Sequence, residues 1–142
     1  MTDPHDLDRF LIAQEGSYDT ALDELKSGCK RSHWIWFIFP QIAGLGRSPT
    51  AQHYAIRSLE EAQAYLAHPI LGARLHECIK ALQLLPPTSA ETVFGPLDAM
   101  KFRSSLTLFA EADPGDAIVA AALDHWFGGQ KDEATLELLG RA

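Results

Sequence analysis

The chain is poor in cysteine, in cationic charge and in long apolar runs, and each shortage narrows what it can be. Only Cys29 and Cys78 are present in 142 residues, far apart, so no disulfide framework is encoded and a reducing compartment is expected. No apolar stretch approaches the ~20 residues that cross a bilayer. The opening MTDPHDLDRF is acidic and polar, without the pattern of a signal peptide, so a cytoplasmic protein with no membrane partner is expected. Net charge is −7, which argues against general nucleic-acid binding, because phosphate neutralisation needs a basic face. There is also no GxSxG, Walker phosphate loop, HExxH, GxGxxG or paired CxxC. His53, His76 and His125 lack ligand spacing with cysteines or carboxylates, so no metal site is expected, and no motif nominates a cofactor.

What is present is apolar, helical in period and well punctuated. Hydrophobic residues make up 46% and charged residues 22%, which suits a folded globule. A chain of this length can bury roughly 68–70% of its unfolded surface in one core. Leu71, Leu75, Cys78, Leu82 and Leu85 form one helical stripe. Tyr18, Leu22 and Leu25 form another, Phe102, Leu106 and Phe109 a third, and the stripe from Ile118 to Phe127 takes in Trp126. Strict alternation over five or more residues is absent, so strands are not expected. Ser17, Ser58 with Glu61, Thr88 with Glu91, Asp113 before Pro114, and Asp132 are expected as helix starts. Gly28, His68-Pro69, Leu85-Pro86-Pro87, Gly95-Pro96 and Gly128-Gly129 read as breaks. The expectation is an all-α, non-repeat, compact single domain over residues 1–142, with seven to nine short helices.

Residues 33–46, HWIWFIFPQIAGLG, are ambiguous. Their aromatic and β-branched content suits a strand, but Ser32 can cap a short helix that stops at Pro40. The helix is favoured, because a lone strand would leave its backbone groups unpaired. Trp34 and Trp36 cannot share a helix face, so one is expected in the core and the other on a cleft. The stretch also lies in the one basic region: residues 25–59 hold Lys26, Lys30, Arg31, Arg47 and Arg57 and no acid. That segment carries +5 and the remainder −7 − 5 = −12.

Two further groups bear on chemistry. Cys29 and His33 are four apart and flanked by Lys30 and Arg31, the makings of an activated thiol. Gly28 disrupts the helical register there, and a partly buried structural cysteine is the default. Lys101, Ser104 and Ser105 share i, i+3, i+4 spacing opposite the Phe102–Leu106–Phe109 stripe. A polar face offering a cation and hydroxyls can hold an anion such as phosphate; a merely solvated face is the plain alternative.

The blocks FLIAQ (10–14), YDTALDELKSGCKRSHWIWFIFPQIAGLGRS (18–48), YAIRSLEEAQAYLAHPILGARL (54–75), FGPLDAMKFRSSLTLF (94–109) and FGGQKDEATLELL (127–139) carry a resemblance over nearly the whole chain. They resemble a bacterial and fungal family catalogued as domain of unknown function 1810. That resemblance implies a single, mainly α-helical domain and no established activity. A calpastatin-like label used for some members does not suit an apolar-patterned globule. The shared motifs fall on His33, Trp34, Trp36, Phe37, Phe39, Pro40, Gln41, Gly44 and Gly46, on Asp98, Lys101, Ser104, Ser105, Thr107 and Phe109, and on Gly129, Asp132 and Thr135.

The functional expectation is a pocket for a small anionic, phosphate-bearing or nucleotide-like molecule. Trp34 or Trp36 would stack on it, Gln41 and His33 would hydrogen-bond, and Arg47, Lys101, Ser104 and Ser105 would take the negative group. His33 or Asp98 would be the acid or base of any reaction. The rival reading is a protein-interaction or homodimerisation module using an exposed 33–41 surface.

Overall fold

Helices form where an apolar period of 3.6 begins beside a residue able to cap it. The computed structural model describes residues 3–141. Among these, 63% are helical and none lies in a strand. The helices are α1 (Asp8–Glu15), α2 (Tyr18–Ser27), α3 (Ile35–Ile38), α4 (Pro49–His53), α5 (Leu59–Ala67), α6 (Leu71–Gln83), α7 (Ala90–Phe94), α8 (Pro96–Ala112), α9 (Ala117–Phe127) and α10 (Glu133–Leu138). This exceeds the seven to nine expected; α4, a five-residue turn capped by Ser48, is too short to display a period and has no counterpart among the expected starts.

The caps obey the expected chemistry with shifts in register. Ser58 Oγ accepts from Glu61 N–H, and Asp132 accepts from Thr135 N–H. Gly28 and Gly128 close α2 and α9 in the left-handed conformation. Ser17 occupies the N-cap position of α2 without a side-chain bond. The start expected at Thr88 lies one residue on, where Ser89 accepts from Thr92 N–H. Asp113 does not begin α9; it ends α8, and Asp116 caps α9 through Ile118 and Val119.

The 17-residue α8 is the axis of the molecule, packed against α3, α5, α7, α9 and α10. Being surrounded, it buries not only Phe102, Leu106 and Phe109 but also Ser104, Ser105 and Thr107. The polar face expected from Lys101, Ser104 and Ser105 is therefore corrected: both serines are buried, and only Lys101 of the three keeps a half-buried position. Helix α6 packs on α2, α5 and α9, and α1 rests on α3.

The stretch at 33–41 is a single helical turn, as favoured. Trp34 carbonyl accepts from Phe37 and Ile38 N–H, and Phe39 N–H donates to Ile35 carbonyl. Pro40 excludes helical geometry from the residue before it, and Phe39 leaves the helix at φ −126°, ψ 74°. The chain then crosses to Ile56 through two backbone bonds, Ala43 N–H to Ile56 carbonyl and Ile56 N–H to Gln41 carbonyl, at 2.7 and 2.8 Å. Helix α4 is carried in the loop between them.

Candidate functional site

The site is built by the turn after α2. Gly28 stops that helix, and the Glu24 carboxylate then organises the chain as far as Trp34. It accepts from the backbone N–H groups of Arg31 and Ser32, from Ser32 Oγ, and from Trp34 Nε1 at 2.9 Å. Ser32 therefore serves this carboxylate and does not cap α3. Burial alone would raise the Glu24 pKa, but these four donors together outweigh it and bring it down to about 2. Lys30 is pinned in the same turn: its N–H donates to Val93 carbonyl, and its Nζ reaches Ser32 carbonyl at 2.6 Å and Asp98 at 2.8 Å. The same ammonium lies 4.9 Å from the centre of the Trp34 ring.

With Trp34 held inward, Trp36 comes out on the other side of the turn. Trp34 is 1% exposed among Phe39 and Phe94, whereas Trp36 is half-buried. Trp36 forms the wall common to adjoining depressions. One is lined by Lys30, His33, Gly95, Pro96, Leu97, Asp98 and Lys101. The next is lined by His33, Phe37, Pro49, Thr50, His53 and Tyr54. Gln41, Gly46 and Ala51 close the floor beside it. A further groove, between Leu45, Leu97, Met100 and Ala134, also has Gln41, Lys101, Ser104 and Asp132 in its walls.

Electrostatics single out the α8 end of this cleft. Asp98 faces Lys30 at 2.8 Å and Lys101 at 3.5 Å, so two cations share one carboxylate and the trio carries +2 − 1 = +1. Lys101 Nζ lies 5.1 Å from the centre of the Trp36 ring. A cation above an aromatic wall, with net positive charge beside it, can hold a flat, negatively charged molecule.

The nominated residues divide accordingly. His33, Trp36, Gln41, Asp98 and Lys101 meet in the cleft, and Ser104 reaches the adjoining groove, its hydroxyl donating to Met100 carbonyl and to Asp132. Trp34 does not line it, because Glu24 anchors its indole in the core. Ser105 does not either: it is 0% exposed on the inner side of α8, and its Oγ has no partner among the described residues. Arg47 is exposed outside the lining, its carbonyl accepting from Gln52 Nε2. Cys29 is exposed, contrary to the partly buried default, and the break at Gly28 removes its helical i, i+4 relation to His33.

Lys30 was legible only as part of the basic segment and as a cation flanking the Cys29–His33 pair. His53 and Tyr54 carry no signal of their own, since the crossing from Gln41 to Ile56 is what brings α4 alongside Trp36. Among the described residues no group of three or more His, Cys, Asp or Glu is placed to hold a metal ion. No described helix is long and apolar enough to cross a membrane.

This architecture has a close counterpart among solved structures. The crystal structure of the conserved hypothetical protein Rv1873 from Mycobacterium tuberculosis is 48% identical in sequence and superposes with a TM-score of 0.95. The match covers 99% of this chain and 100% of that one. None of the curated proteins matches the chain. The model of the family described as "Protein of unknown function (DUF1810)" matches residues 4–139, and the chain belongs to that family.

Proposed function

We propose that the cleft around Trp36 binds a small anionic molecule with a flat portion, phosphate-bearing and nucleotide-like. The observation that carries this reading is Lys101 above the half-buried Trp36 ring, sharing Asp98 with Lys30. In this reading Trp36 stacks on the flat portion, Lys101 takes the negative group, and Gln41 hydrogen-bonds at the floor. Asp98 orients the two ammonium groups and is thereby unsuited to act as a base. His33, exposed on the rim, is the side chain placed to move a proton in any turnover.

An interaction module would need the 33–41 side chains on a convex apolar patch. Trp34, Ile35, Phe37, Ile38 and Phe39 are instead all buried, which favours the cleft.

The test is thermal-shift screening with inorganic phosphate and nucleoside mono- and diphosphates. A ligand at 100 times its Kd should add ~2.7 kcal/mol of stability. Trp36→Ala and Lys101→Ala should each weaken binding tenfold or more while keeping the helical circular dichroism spectrum. Ser105→Ala should bind as the parent does. No shift with any anion would overturn the proposal.

A further inference from the structure

The cleft is not a single basin. Lys101 and Leu97 belong both to the depression against Trp36 and to the groove lined by Leu45, Met100 and Ala134. The two recesses therefore adjoin at these two side chains, and they differ in chemistry. The first is aromatic and cationic, with Lys30, His33 and Trp36. The second is walled mainly by aliphatic side chains, with Gln41, Ser104 and Asp132 as its polar edge. Leu97 and Met100 are 65% and 64% exposed, so both apolar side chains are open to a ligand lying in the groove.

A free nucleotide or sugar phosphate has only one organic part to place on one side of its anion. It would fill the Trp36 side and leave Met100 in water. A ligand with organic groups on both sides of a central phosphate would cover both. We infer that the ligand is two-headed: two ring-bearing groups joined through a phosphodiester or pyrophosphate that lies on Lys101. This rests on the anion-binding reading of the same cleft. One ring stacks on Trp36. The other, uncharged, lies against Leu97 and Met100 with its polar edge toward Gln41 and Asp132. The carboxylate of Asp132 disfavours a second anion there, which places the negative charge at the junction and not at the ligand's far end.

The experiment tracks tryptophan fluorescence and binding heat for the full chain with inorganic pyrophosphate, a nucleoside monophosphate, a nucleoside diphosphate, and two nucleosides joined 5′ to 5′ through pyrophosphate. The joined compound should bind at least tenfold more tightly than either mononucleotide. Ala134→Phe, an exposed substitution that fills the second groove, should abolish that preference while leaving mononucleotide affinity within about twofold; Met100→Ala should reduce it. Equal affinity for mono- and dinucleotide, or a preference untouched by Ala134→Phe, would overturn the two-headed ligand and leave the anion site standing. Absence of binding by all four compounds would overturn both.

Discussion

Glu24 shows how much one side chain decides in this protein. Its carboxylate gathers two backbone N–H groups, a hydroxyl and an indole, and so determines which tryptophan enters the core. The carboxyl titrates at 4.5 unfolded and about 2 folded, so the unfolded chain binds the extra proton between those values. Its stabilisation is complete above pH 4.5 and is lost as pH falls toward 2. Its size is on the order of 3 kcal/mol. Urea denaturation of the parent and of Glu24→Gln should therefore show a gap of that order at pH 7 that narrows markedly at pH 3. A constant gap would show that the carboxylate charge contributes little. The cysteines differ at the same scale: burial pushes the Cys78 thiol up to about 12, so it stays protonated, while Cys29 is exposed.

Between elements, a tight point is the corner joining α5 to α6. Gly72 is buried in α6 where the Leu66 carbonyl passes; a Cβ there would stand 2.1 Å from that oxygen. Alanine is the better helix former by up to ~1 kcal/mol, so propensity alone predicts that Gly72→Ala stabilises. The clash is with backbone and cannot be relieved by a rotamer, so the expected result is net destabilisation of about 1–3 kcal/mol, read as a lowered urea midpoint. An unchanged or raised midpoint would show that the corner relaxes. The break at His68-Pro69 was legible because proline punctuation is local. The close approach at Gly72 was not, since it depends on where α5 ends in space.

For the whole molecule, Arg9 has a comparable role. Its guanidinium donates to the carbonyls of His5, Asp6, His53 and Ala55 and to the Glu61 carboxylate, the last at 2.7 Å, with both side chains nearly inaccessible. It thereby ties α1, the α4 loop and α5 together, and keeps His53 and Tyr54 beside Trp36. Arg9→Ala leaves Glu61 buried with, among the described residues, only the longer Arg57 ion pair, at 3.5 Å. The expected loss is about 3–5 kcal/mol, measured by chemical denaturation. Arg9→Met combined with Glu61→Leu should recover much of it, because no buried charge then remains unpaired. Recovery no better than the single variant would mean that the carbonyl bonds, and not the ion pair, carry the effect.

Helix class, most breaks and the basic setting of residues 33–46 come from the sequence by itself, because caps, prolines and a 3.6-residue period act over neighbouring residues. The family was legible in the same blocks, since its motifs are continuous stretches. Even the division of labour between two tryptophans two residues apart stems from helical geometry. Which tryptophan goes inward was decided only by the tertiary structure, since it depends on Glu24 reaching Trp34 across ten positions. Ser105 left the candidate site for a similar reason: α8 is enclosed by its neighbours, so a face that reads as polar along the chain is buried in space. Lys30, His53 and Tyr54 joined Trp36 because the turn after α2 and the crossing to Ile56 fold back on α3. Charge and period are properties of neighbours in the chain, whereas a binding cleft is made by residues that are neighbours only after the helices pack.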